Sequence, residues 1–250
     1  LVGIIIGSFL NVCIYRIPKK ETIVKGSSHC MTCMHNLNWK DLFPLFSWLF
    51  LRGKCRYCGA KISKRYPIIE SLNGVLFLLA FIKFPFLDSD LNFSVTNLIS
   101  ALIYCAFFAI LVVVSMIDFD TKEIPDRFHI IILALGLISF LTTGPISWDR
   151  WSTAITGLGI VALPLCLIAW ITDGIGEGDA KLTAAAGFLV GPKVILFGFL
   201  AGAIIASIYG IIYKMRSKEN EIPFGPFISI GIVIGIMFAE PVINWYVTLF

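Results

Sequence analysis

Runs of apolar residues, each near the length of a bilayer crossing, recur along this chain and leave few folds open to it. A hydrocarbon core of about 30 Å takes roughly 20 apolar residues to cross as a helix. Such segments are read at about 1–16, 72–87, 96–117, 128–144, 151–172, 180–191, 193–213 and 224–247. Inside lipid the backbone must hydrogen-bond to itself, which a helix does within one segment. The expected fold is therefore an all-α polytopic membrane protein of about eight transmembrane helices. Composition agrees, because 14% of residues are charged against about 25% in soluble domains. Gly191-Pro192 interrupts what would otherwise be one long helix, so 180–213 is expected to be a hairpin or a bent pair. Residue 1 is Leu and already apolar, which leads us to expect a first span that is cut into, with no cleavable signal peptide.

Basic residues orient these segments. Residues 16–70 hold eleven of the twenty Lys and Arg (Arg16, Lys19, Lys20, Lys25, Lys40, Arg52, Lys54, Arg56, Lys61, Lys64, Arg65) against Glu21, Asp41 and Glu70. That stretch carries +8 of a total of +4, leaving −4 elsewhere. It is expected in the cytoplasm. Counting spans puts the loops at 117–127, 172–180 and 213–223 on the same side, the last with Lys214, Arg216 and Lys218. A basic loop next to spans reads as topology and contact with anionic membrane lipids, and not as a nucleic-acid surface. Trp148, Trp151 and Trp245 fall near expected interfaces, while Trp39 and Trp48 belong to the loop, with a lipid side within reach.

The cysteines divide by environment. Cys13, Cys105 and Cys166 lie in apolar runs and read as small buried hydrophobes. Cys30-Met31-Thr32-Cys33 and Cys55-Arg56-Tyr57-Cys58 are two CxxC pairs inside the basic loop. Their spacing suits a closed tetrahedral zinc site of four thiolates, and a reducing cytosol disfavours disulfides. Four thiolates leave no position for a reactive water, so the metal is expected to be structural. Its work is to fold a loop too small to hold a core of its own. His35 lies near the first pair and reads as a surface residue.

Two acidic clusters carry the chemistry. Gly174-Ile175-Gly176-Glu177-Gly178-Asp179-Ala180-Lys181 is a glycine-dense turn between apolar runs. Asp118-Phe119-Asp120-Thr121-Lys122-Glu123-Ile124-Pro125-Asp126 follows the third run and reaches the same membrane face. Ionisable residues in such places mark functional sites. The alternative for Asp179 is an ordinary helix cap, and Asp126 after Pro125 reads best as one. Two aspartates at close range do not both ionise easily, so one holds a proton while the other stays charged. Such a pair activates a water as general base and protonates a leaving amine as general acid. Physics alone leaves open which aspartates pair; Asp118, at the end of an apolar run, is more desolvated than Asp120.

In order along the chain, these residues resemble the type IV prepilin peptidases, membrane aspartic proteases of the GxGD type. Gly7-Ser8-Phe9-Leu10-Asn11-Val12 with Arg16-Ile17-Pro18 resembles the family's N-terminal signature. The CxxC pairs flank Trp39-Lys40-Asp41-Leu42-Phe43-Pro44 and Ser47-Trp48-Leu49 and precede Arg65-Tyr66-Pro67-Ile68-Ile69-Glu70, like the cytoplasmic zinc loop of bacterial members. Ile117-Asp118-Phe119-Asp120 with Ile124-Pro125-Asp126, and Gly176-Glu177-Gly178-Asp179 with Lys181-Leu182, resemble the two aspartate motifs. Ile222-Pro223-Phe224-Gly225-Pro226-Phe227 resembles the segment opening the last span.

The resemblance implies a catalytic pair of Asp118 and Asp179, and Gly176 and Gly178 beside an extended substrate. It implies cleavage of the leader from type IV prepilins and pseudopilins after glycine, at the cytoplasmic face of the bacterial inner membrane. Many bacterial members then methylate the new N-terminal amine with S-adenosylmethionine; no glycine-rich strand-to-helix fingerprint places that cofactor here. The implied organisation is a first transmembrane helix at 1–16, a cytoplasmic four-cysteine zinc loop at 17–70 and a GxGD protease membrane domain at 71–250. The rival readings are an ion- or proton-coupled transporter and a non-catalytic pilus-assembly scaffold. Carboxylates at one face, with no repeat relating the halves, count against the first. The second leaves the aspartates and glycine turn without a reason.

Overall fold

A computed structural model describes residues 1–24, 26, 28–87, 92–172, 176–216 and 222–248. Gly174 and Ile175 of the glycine turn, and Lys25 and Lys218 among the basic residues, lie outside the described residues. The chain divides into two compact units, Leu1–Ile82 and Lys83–Phe250.

The first unit holds α1 (Val2–Arg16), α2 (Phe46–Phe50) and α3 (Arg65–Lys83). Asn73 on α3 donates to the Gly3 carbonyl at 2.6 Å, and Asn11 on α1 donates to the Tyr66 carbonyl at 3.4 Å, so buried amides join the two apolar helices. α3 starts earlier than the span expected at 72–87 and takes in Arg65–Glu70. Pro67 allows this, because the N–H it lacks would have no partner in a first helical turn.

Between α1 and α3 the chain makes two nearly identical knuckles. In the first, Cys30 N–H donates to His35 O, Met34 N–H donates to Cys30 O, and His29 pairs with Asn36. In the second, Cys55 N–H donates to Ala60 O, Gly59 N–H to Cys55 O, and Lys54 pairs with Lys61. The position four after the leading cysteine is left-handed in both, φ 57° at Met34 and φ 72° at Gly59. Glycine takes that conformation freely and methionine does not.

The second unit is a helical bundle of α4 (Val95–Thr121), α5 (Asp126–Thr142), α6 (Trp148–Ile160), α7 (Ala162–Thr172), α8 (Glu177–Val190), α9 (Pro192–Arg216) and α10 (Gly225–Val247). α8 lies at its centre, packed by α5, α6, α7, α9 and α10. Its small side chains, Ala180, Ala185, Ala186 and Gly187, allow that crowding. α9 and α10 meet backbone to backbone: a Cβ added to Gly198 would lie 2.8 Å from the Gly231 carbonyl, and one on Gly231 would collide with Gly198. Outward-facing Ile130, Leu137, Ile204, Ile208 and Ile211 leave apolar sides of the bundle to lipid.

All eight expected segments are helical. Five stretches, Arg65–Lys83, Val95–Thr121, Trp148–Ile171, Pro192–Met215 and Gly225–Val247, are long and apolar enough to cross a membrane. The expected count of eight crossings is not confirmed, for α1, α5 and α8 have 15, 17 and 14 residues. At 1.5 Å per residue, 14 residues reach only about 21 Å. The stretch read as one span at 151–172 bends at Val161, between α6 and α7. Pro164 accounts for it, since a proline ring clashes with the carbonyl four residues back, here that of Ile160.

Two substitutions test this packing. Gly231→Ala is expected to destabilise the chain by about 1–3 kcal/mol through the α9–α10 contact, read as a lower unfolding temperature in detergent. Met34→Gly is expected to stabilise the first knuckle by about 0.5–1 kcal/mol. An unfolding temperature no higher than that of Met34→Ala would show that the left-handed turn carries no such strain.

Candidate active site

The two acidic clusters belong to helix ends of the second unit. α4 runs on through Asp118 and Asp120 to Thr121 and stops at Lys122, whose left-handed φ of 57° turns the chain. Extended Pro125 then caps α5. This places Asp118 on the last turns of a helix whose preceding residues, Val112, Val113, Val114 and Ile117, are all buried. Asp118 is itself 5% exposed. Its Oδ2 accepts the backbone N–H of Gly225, the first residue of α10, at 2.9 Å. A Cβ on Gly225 would lie 2.8 Å from that same oxygen, so only glycine admits this contact undisturbed.

Asp179 comes from the other end of the sequence pattern. Gly176 caps α8, and the Asp179 N–H donates to the Gly176 carbonyl at 3.1 Å. Asp179 is thus the third residue of the helix and not its cap. It is 8% exposed, and its Oδ1 has no hydrogen-bond partner among the described residues. It lies within the electrostatic field of Asp118. A buried polar oxygen without a donor is uncommon in a folded protein and asks for an explanation.

The other two acids stand apart. Asp120 is exposed. Asp126, expected to cap α5, is instead its first residue, while the capping place is taken by Pro125. Its carboxylate reaches across to Lys181 of α8 at 3.1 Å, and Lys181 also pairs with Glu177 at 3.6 Å. Both Asp126 and Glu177 are mostly exposed, so these pairs orient the turn more than they stabilise it. The glycines divide similarly. A Cβ on Gly178 would press on Ile124 at 3.1 Å, whereas one on Gly176 would meet, among the described residues, Asp179 Oδ2 at 3.4 Å. Gly178 therefore lets α8 approach the α4–α5 turn, and Gly176 leaves space beside the carboxylate. The Gly225 contact was not legible beforehand. Nothing local in Ile222-Pro223-Phe224-Gly225-Pro226-Phe227 says that it closes on an aspartate 107 positions away.

In the first unit, Cys30, Cys33, Cys55 and Cys58 bring their sulfurs within 4.8 Å of one another. All seven cysteines are free thiols. Four ligands at the zinc–sulfur distance of about 2.3 Å would place sulfurs about 3.8 Å apart at tetrahedral corners. Cys30 and Cys58 are 3.8 Å apart. The cluster therefore fits a tetrahedral metal ion. Backbone N–H groups of Cys33 and Thr32 lower the pKa of the Cys30 thiol, while desolvation and the neighbouring sulfurs raise that of Cys58. His35 is outside the cluster and packs at a tilt against Tyr57, ring centres 3.7 Å apart.

Comparison with known proteins follows the same division. Residues 1–84 match the Bacterial Peptidase A24 N-terminal domain and residues 105–211 match the Type IV leader peptidase family. The chain is 34% identical to the "Type 4 prepilin-like proteins leader peptide-processing enzyme" of Escherichia coli, covering 92% of this chain and 88% of that protein. It is 32% identical to the "Prepilin leader peptidase/N-methyltransferase" of Bacillus subtilis, over 98% and 95% of the two chains. The Xanthomonas campestris protein of the same name is also 32% identical, over 92% and 86%. No solved structure matches the chain. With four cysteines inside the first match, both acidic clusters inside the second, and relatives aligned over most of their length, the chain belongs to the type IV leader peptidase family.

Proposed function

We propose that this chain cleaves the leader peptide from type IV prepilins and pseudopilins after glycine, at the cytoplasmic face of the bacterial inner membrane, with Asp118 and Asp179 as its catalytic pair. The observation that carries this reading is the setting of Asp179: a buried carboxylate, in the field of Asp118, with an oxygen that no described residue satisfies. A scissile peptide and its water are natural partners for such an oxygen.

The two carboxylates differ in a way that supports a division of roles. A backbone N–H stabilises negative charge, and Asp118 accepts one from Gly225. Asp118 is then the base that takes a proton from water. Asp179, without a donor on Oδ1, holds the shared proton and passes it to the peptide group as the C–N bond breaks. Gly176 leaves room for an extended substrate backbone beside Asp179, and Gly178 keeps the α4–α5 turn against α8. The basic residues of the 16–70 loop support the cytoplasmic orientation, and the apolar outer faces support contact with membrane lipids.

Zinc is proposed for the thiol cluster, held by Cys30, Cys33, Cys55 and Cys58. Bound there it supplies a cross-link between the two knuckles and no open coordination position. Methylation of the new N-terminal amine by S-adenosylmethionine is proposed from the names of the relatives alone. The described residues hold three isolated bridges and no strand, so they do not form a strand-and-glycine cradle for that cofactor.

Asp118→Asn and Asp179→Asn are each expected to lower cleavage of a model prepilin in liposomes by about 100-fold or more, with folding and metal content unchanged. Asp120→Asn and Asp126→Asn are expected to keep most activity. Cleavage surviving in either of the first two variants would remove that residue from the pair. Cys33→Ser with Cys58→Ser is expected to remove the metal and lower the unfolding temperature, measured by elemental analysis and scanning fluorimetry; full stability without metal would dismiss the structural role.

A further inference from the structure

Five large apolar side chains of the 39–50 stretch point away from the first unit, although nothing about a zinc knuckle needs them there. Trp39, Leu49 and Phe50 are 73%, 67% and 81% exposed, and Phe43 and Phe46, whose rings pair at 5.6 Å, are also exposed. Trp48 is the exception that gives the element an inside. Its Nε1 donates to the Ile62 carbonyl at 3.3 Å, and its ring lies against Gly53.

The height of this element is set by one buried acid. Glu70 lies five residues into α3, about 7.5 Å below its start at 1.5 Å per residue, and is buried against Gly7 of α1. Its carboxylate accepts the Leu45 N–H at 2.7 Å. Leu45 has a left-handed φ of 62°, a strained value for a leucine, and it directly precedes α2. The hydrogen bond therefore ties Leu45, directly before α2, to the first turns of α3.

The charges around the apolar face have one sign. Lys40, Arg52 and Lys54 are exposed, and Lys40 Nζ lies 5.6 Å from the Trp39 ring centre. Of the acids beside it, Glu70 is buried, and Asp41 is turned inward to Arg56 at 2.6 Å and to Tyr57 at 3.1 Å. Aromatic rings at the level where apolar helices emerge, rimmed by cations, fit the headgroup layer of an anionic membrane.

We propose that residues 39–50 form an interfacial anchor, with Trp39, Phe43, Phe46, Leu49 and Phe50 inserted into the headgroup layer of an anionic bilayer under Lys40, Arg52 and Lys54. The zinc knuckles then stand on the membrane surface and do not hang from α1 and α3 alone. This does not depend on the proposed catalytic pair.

The full chain and its Trp39→Phe variant, reconstituted in phosphatidylcholine–phosphatidylglycerol nanodiscs, give the emission of Trp39 by difference. A nitroxide lipid labelled near the headgroup is expected to quench at least about half of it, while aqueous iodide has little effect. Quenching should weaken in purely zwitterionic discs and in the Lys40→Glu, Arg52→Glu variant. Hydrogen exchange of the unmodified chain provides the second reading, with amides 39–50 slower in anionic than in zwitterionic discs. Trp39 emission open to iodide and untouched by the lipid label overturns the proposal. So does shielding that appears only when prepilin is added, which would make the face a substrate surface.

Discussion

Two buried carboxylates, one lying in the electrostatic field of the other, are a costly arrangement for the second unit to hold. Burial of one ion is already unfavourable, and a second of the same sign adds to it. The bundle maintains the pair by geometry. α8 is made of side chains small enough for five helices to close around it, so Asp179 is shielded by neighbours on its own helix's flanks. α4 continues one turn past Asp118 before Lys122 ends it, which keeps that carboxylate on a regular helix instead of a loop. α10 then begins at the one residue type that can bring a backbone N–H so near.

The first unit solves an opposite problem. Its loop has little apolar material to enclose, and the outward Trp39, Leu49 and Phe50 contribute nothing to an interior. Two copies of one turn, each fixed by the same pair of backbone hydrogen bonds, present four sulfurs to a common centre. A metal cross-link in such a place does the work that a hydrophobic core does in larger domains.

Much of this was legible in the residues, because the signals were local. The CxxC pairs announce a thiol cluster by spacing, and Gly191-Pro192 announces the break between α8 and α9. Desolvation favours Asp118 over Asp120, while its pairing with Asp179 is implied only by resemblance to a family. The misreadings came where tertiary contacts decide. Asp126 looked like a cap because it follows Pro125, but Lys181 on another helix claims its carboxylate. The span at 151–172 stands as one candidate crossing, and the interruption inside it at Val161 went unread, since hydropathy does not register the proline at 164. Hydropathy likewise marks α5 and α8 as apolar without saying how short each is. Trp48 and Trp39 looked alike in the sequence; only packing against Gly53 separates the inward ring from the outward one.

Those short helices tie the protein to the thickness of its lipid. α5, whose Ile130 and Leu137 face outward, has 17 residues and so covers about 25 Å of a hydrocarbon layer of about 30 Å. A bilayer of longer acyl chains must thin beside such an element, or the element must sit off-centre, at a cost of fractions of a kcal/mol per Å. Acyl-chain length thus enters the free energy of the bundle that surrounds Asp179, and a membrane a few Å thinner relieves it.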